Sequence, residues 1–126
     1  MTKRFLIIDR IRSFGHAFSG LAAMLRSQHN AWIHLAATIV AVGFGLFLAL
    51  PRDEWIWLVL AIMAVWTAEA LNTAFELMCD VASPEFHPLV KQAKDVAAAA
   101  VLITALGATI VGLLIFLPRL IVALGV

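Results

Sequence analysis

The sequence predicts an all-α integral membrane protein, a single domain over residues 1–126 with one surface helix and three transmembrane helices. Two observations carry this. The chain is 63% hydrophobic and 13% charged, whereas a soluble domain is nearer half apolar and a quarter charged. The apolar residues also fall into three runs, each long enough to cross a hydrocarbon core, which takes about 20 helical residues.

The amphipathic segment comes first, over residues 5–26. Ile7, Ile11, Phe14, Phe18, Leu21 and Leu25 recur at spacings of four and three, which places them on one helical face. Such a helix lies on a membrane surface; the plainer alternative is a packing helix in a soluble lobe. The stretch Phe5 to Ile8 is too short for a signal-peptide core.

The first span, 31–50, is interrupted only by His34 and Thr38. The second, 55–79, follows a tight turn at Pro51, Arg52, Asp53 and Glu54. The third, 96–117, follows a longer polar connection, Asp80 to Asp95, in which Pro84 and Pro88 are expected to stop the helix. Small residues recur every fourth position at Ala37, Ala41, Gly45 and Ala49, and again at Ala100, Thr104, Ala108 and Gly112. They allow close helix approach.

Orientation follows from basic residues. Lys3, Arg4, Arg10, Arg12, Arg26, Lys91 and Lys94 lie on one side, against Arg52 and Arg119 on the other. The N-terminus and the 80–95 connection are therefore expected in the cytoplasm of a cell whose plasma (inner) membrane holds the chain. Trp55 and Trp57 fall in the outer aromatic belt and Trp32 in the inner one.

Net charge is +1 and no basic tract suited to nucleic acid is present. Cys79 is the only cysteine, which excludes an intrachain disulfide and a thiolate metal cluster.

Chemistry concentrates in the second span. Glu69, Asn72, Thr73, Glu76 and Asp80 share one helical face. Glu69 and Glu76 are two turns apart, roughly 10 Å along the axis. Carboxylates within a span are costly and mark function by default; the plainer alternative ends the span near Ala68 and leaves a cytoplasmic helix. Mg²⁺ takes one or two carboxylates plus phosphates, and a deeper carboxylate can take a proton from a lipid hydroxyl. Asn72 lies between the two. Lys94 and Asp95 are expected to open the third helix, where free N–H groups, the helix dipole and an ammonium together favour phosphate. These pieces suggest phosphoryl transfer at the cytoplasmic interface. No P-loop is present. His34 reads as a packed interfacial residue rather than a ligand, and His87 as ambiguous.

The stretches Ala68-Glu69-Ala70-Leu71-Asn72-Thr73-Ala74-Phe75-Glu76, Ser83-Pro84-Glu85-Phe86-His87-Pro88-Leu89 and Ala93-Lys94-Asp95-Val96-Ala97-Ala98, with Ile33-His34-Leu35 after Asn30, resemble the prokaryotic diacylglycerol kinase and undecaprenol kinase family. The resemblance covers about residues 10–117, and the Pro-Glu-Phe-His-Pro stretch leans toward the undecaprenol kinase branch. It implies a homotrimer that uses ATP and Mg²⁺ to phosphorylate a lipid alcohol, undecaprenol or diacylglycerol. It implies Glu69 as general base, Glu76 as metal ligand and Asn72 as an organiser of the active centre. Glu85, Phe86, His87, Lys94 and Asp95 would contact the nucleotide, and the surface helix around Ser13 to Leu25 would border lipid entry.

The chain departs from the family at Gln28, where a second metal-binding Glu is usual. It departs again at Trp32, where a basic residue is common, and at Ala17, often a Ser. The change at Gln28 bears on metal affinity, with His29 or Asp80 as candidate compensators. It keeps open an altered relative that binds lipid or nucleotide without full catalysis. A proton-coupled transporter would use the same carboxylates, but three spans are few for one and the polar face lies at one end.

Overall fold

A computed structural model describes residues 7–125. Lys3 and Arg4 of the charge argument, and Phe5 and Leu6 of the expected surface segment, lie outside the described residues. Four α-helices follow in order among the described residues: α1 (Ile7–Ser27), α2 (His29–Phe47), α3 (Arg52–Ala82) and α4 (Pro88–Ala123). The last three are long and apolar enough to cross a membrane, where helices satisfy their own backbone. The chain is a helical membrane protein.

α1 packs on α2 and α3, and Met24 is its one buried residue. Ile7, Ile11, Phe14 and Phe18 stand exposed. The break before α2 is a single residue. Gln28 adopts extended backbone (φ −118°, ψ 117°) and its side chain does not cap α2.

α2 ends three residues before the expected boundary at Leu50. Ala49 takes φ +48°, and two reversed bonds close the helix, Ala49 N to Leu46 O at 3.2 Å and Leu50 N to Gly45 O at 3.0 Å. This is a Schellman ending with alanine in the glycine position. Ala49 therefore drops out of the small-residue stripe of α2. Gly45 stays in it for a steric reason. A Cβ there would lie 2.8 Å from the Trp55 ring and 3.2 Å from Leu50.

α3 and α4 form the main interface, and α2 packs on α3. At about 1.5 Å per residue, helices of 31 and 36 residues exceed a hydrocarbon core of about 30 Å. Both therefore project from it. α3 accordingly runs beyond the expected span of 55–79 at both ends.

The connection between α3 and α4 is shorter than expected, residues 83–87. Ser83 and His87 both precede prolines and both leave helical backbone, His87 for the extended region. Pro88 does not stop a helix but starts one, as proline at a first helical position can. The His87 imidazole caps it, Nδ1 accepting from Leu89 N at 3.2 Å. At the far end α4 continues through Pro118 to Ala123.

The apolar core lies near the α2–α3 turn. Leu50, Leu58 and Ile115 are buried there, with Ala41, Trp55, Ile62, Val111 and Phe116 around them. Arg119 clamps the same end, Nη2 lying 2.8 Å and Nε 3.0 Å from Glu54 Oε2. Farther along α3 the buried residues change character to Glu69, Asn72 and Thr73.

Candidate active site

Helical spacing puts Glu69, Asn72, Thr73 and Glu76 on one side of α3, and the fold turns that side inward. Glu69 is 1% exposed, Thr73 5% and Asn72 7%; Glu76, a turn farther on, is half-buried. Glu69, Asn72 and Glu76 line a cavity of about 260 Å³ with Gln28, Asn30 and His34, walled by Ala98, Val101, Leu102 and Ala105 of α4.

Glu76 is held from two sides. Gln28 Nε2 donates to its Oε2 at 2.6 Å, and Asn72 Nδ2 donates to its Oε1 at 3.3 Å. A side chain at the start of α2, free of any capping role, thus reaches α3 instead.

Glu69 is the opposite case. Both of its carboxylate oxygens are buried without a hydrogen-bond partner, and so is Asn72 Oδ1. Thr73 Oγ donates only to the Glu69 backbone carbonyl, at 2.9 Å. His34 Nε2 stands 3.6 Å from Glu69 Oε2, too far for a hydrogen bond. Burying a carboxylate without partners costs several kcal/mol. A group kept at such a cost suits reaction with something that enters the cavity.

The expected nucleotide residues do not join this cavity. Glu85 and Phe86 are exposed in the connection, where Ser83 Oγ donates to Glu85 O at 3.1 Å. His87 is committed to capping α4 through Nδ1. Lys94 Nζ donates to Asp80 Oδ1, and Lys91 Nζ to Asp95 Oδ2, each at 2.6 Å. Asp80 follows Glu76 by one turn, so Lys94 is tied to α3 one turn beyond a residue that lines the cavity.

Lys94 and Asp95 do not open the helix, because α4 begins at Pro88. The free N–H groups expected beside Lys94 are in fact at the first turn, nearly two turns away. The phosphate argument at Lys94 therefore rests on its ammonium alone.

His34 was set aside on sequence grounds, yet it is the cation-capable group nearest Glu69. The signal was present. His34 and Thr38, four residues apart, are the only polar interruptions of the first span. Thr38 Oγ also meets α3, accepting from Trp66 Nε1 at 3.0 Å.

The donor set can be tested against a cation. Among the described residues no three His, Cys, Asp or Glu side chains gather as a metal cage. Glu76 with the unpartnered Asn72 Oδ1 matches the sparse protein ligation of Mg²⁺, which relies on phosphates for the remainder; Gln28 turns its amide nitrogen to Glu76 and would rotate to offer its oxygen. The residues fit such an ion.

A buried carboxylate without hydrogen-bond partners among apolar helices, beside a second carboxylate held by amides, is the kind of arrangement found in intramembrane enzymes and carriers. Comparison with known proteins makes the class specific. Residues 15–116 match the family model described as prokaryotic diacylglycerol kinase. An undecaprenol kinase of Bacillus subtilis (strain 168) is 40% identical over 86% of this chain and 89% of its own length. Diacylglycerol kinases of Synechocystis and Escherichia coli (strain K12) are 36% and 33% identical. They cover 86% and 79% of this chain, and 62% and 82% of their own lengths. The chain belongs to the prokaryotic diacylglycerol kinase family and is a lipid kinase.

Proposed function

We propose that the protein transfers the γ-phosphate of ATP to the hydroxyl of a membrane lipid alcohol at the cytoplasmic face, with undecaprenol the preferred acceptor over diacylglycerol. The observation that carries the chemistry is the buried Glu69 carboxylate, with both oxygens unpartnered and facing a cavity. Undecaprenol is preferred because the relative matched at 40% identity bears that name, and because of the Glu85-Phe86-His87-Pro88 stretch.

Glu69 accepts the acceptor's proton as the hydroxyl oxygen bonds to the γ-phosphorus and the bond to the β-phosphate oxygen breaks, releasing ADP. Its burial excludes water, which would otherwise compete as acceptor. Asn72, whose Nδ2 donates to Glu76, fixes the spacing between the proton acceptor and the phosphate end. Lys94 pairs with a phosphate oxygen in place of Asp80. Glu85, Phe86, His87 and Asp95 border the nucleotide from the connection and the start of α4. Mg²⁺, when bound, offsets phosphate charge, and Glu76, Gln28 and Asn72 would hold it.

The exposed apolar residues of α1, Ile7, Ile11, Phe14 and Phe18, support its lying on the cytoplasmic membrane surface. Orientation rests on Arg10, Arg12, Arg26, Lys91 and Lys94 against Arg52 and Arg119. A homotrimer, implied by the family resemblance, completes the proposal; crosslinking in native membranes tests it.

The direct test gives purified protein labelled ATP with undecaprenol and diacylglycerol in parallel detergent assays. Phosphorylated undecaprenol formed at the higher kcat/KM is expected. Transfer to diacylglycerol alone would overturn the acceptor assignment, and transfer to neither would favour the altered relative that Gln28 keeps open.

A further inference from the structure

A second cavity runs deeper into the spans. It holds about 300 Å³ between α2 and α4, with Leu58, Ile62 and Val65 of α3 behind it. Its sides are small residues, Ala37 and Ala41 on α2 and Ala108 and Gly112 on α4. Phe116 closes the far end, braced by Phe44 in an edge-on contact with ring centroids 6.2 Å apart.

This groove adjoins the Glu69 cavity. Ile33, His34 and Ala105 line both. A buried carboxylate with both oxygens unpartnered therefore lies beside one end of an apolar channel that has an aromatic pair at the other. From Ala105 to Phe116 the channel measures about 16 Å, at ~1.5 Å rise per residue.

Its dimensions select the occupant. A helix is about 10 Å across, so less than one turn of a neighbouring helix would fill 300 Å³. A single hydrocarbon chain is slender enough to follow the whole channel. The wider apolar depression on the other side of α3 reaches Asn72 but not Glu69.

We propose that the α2–α4 groove seats the first part of the acceptor's hydrocarbon tail, with the Phe116–Phe44 pair setting how far the tail runs before it must turn out into the bilayer. The inference rests on the proposed proton-accepting role of Glu69. A tail leaving lipid for this groove gains little from burial, since both surroundings are apolar. The groove thus sorts acceptors by tail length and shape more than it binds them tightly.

Gly112 is the position at which to test this, because a Cβ there meets nothing within 4 Å. Gly112→Leu starts its side chain from open space and projects it into the middle of the channel. Purified wild type and variant are compared on short-chain and long-chain diacylglycerol, and on farnesol and undecaprenol. The variant is expected to lose about tenfold in kcat/KM on the long acceptor of each pair, as one overfilled apolar position typically costs. Short acceptors should be little affected. Phe116→Ala should shift preference toward the longer chain.

A diazirine-tagged long-chain alcohol, added without nucleotide, should label the peptide around Phe116 in wild type and not in Gly112→Leu. Phosphorylation of that alcohol without labelling there would overturn the groove assignment. Labelling without phosphorylation would support the groove while overturning the role of Glu69. Equal loss on short and long acceptors, with a changed oligomeric state, would give the groove to a second copy and overturn the proposal.

Discussion

Gln28 Nε2 donates to Glu76 Oε2 across 2.6 Å, joining the one-residue break between α1 and α2 to the polar face of α3. This bond ties that break to one wall of the cavity. It also uses an uncharged side chain where the family resemblance implies a second carboxylate.

Gln28→Glu should therefore do two opposite things. Without divalent cations, two facing carboxylates replace a hydrogen bond to a charged group, and stability should fall by about 1–3 kcal/mol. With Mg²⁺ the deficit should narrow, and the Mg²⁺ concentration for half-maximal transfer should drop. Thermal unfolding in detergent at graded Mg²⁺, beside the activity titration, checks both. An unchanged Mg²⁺ requirement would remove Gln28 from the metal site.

Lys94 is held at 2.6 Å by Asp80, one turn beyond Glu76. Lys94→Met removes the ammonium that would pair with a phosphate oxygen. KM for ATP should rise about tenfold or more while KM for the lipid stays near its wild-type value. Equal changes in both constants would indicate a structural effect instead.

Ala49 occupies a left-handed position, φ +48°, in the Schellman ending of α2. Glycine tolerates that conformation without a Cβ penalty. Ala49→Gly should stabilise the protein by about 0.5–1 kcal/mol, offset in part by the greater freedom of glycine when unfolded. A higher midpoint in thermal unfolding is the expected reading, with activity unchanged.

The spans were legible in the sequence because lipid allows so few solutions for an apolar run. Their ends were not. Hydropathy marks where α4 enters the membrane near Val96, but the helix starts at Pro88, where proline and a capping His87 fix the backbone. The left-handed Ala49 left no trace either, because alanine reads as helix. Within the site, spacing alone gathered Glu69, Asn72 and Glu76, since one helix carries all three. Contacts between helices were hidden. The pairing of Lys94 with Asp80, of Gln28 with Glu76 and the approach of His34 to Glu69 each depend on how α2 and α4 dock on α3. Periodicity says nothing about that.

The central claim is that the buried, unpartnered Glu69 carboxylate takes the proton of the lipid hydroxyl. The most direct measurement is ATP-dependent transfer of labelled phosphate to a lipid extract by wild type and Glu69→Gln. The variant keeps the side chain's shape and removes a buried charge that has no hydrogen-bond partner, so it should fold about as stably as wild type. Its transfer should fall by about 100-fold or more, the usual contribution of a positioned general base, with KM for ATP little changed. Full transfer by a folded Glu69→Gln protein would contradict the account.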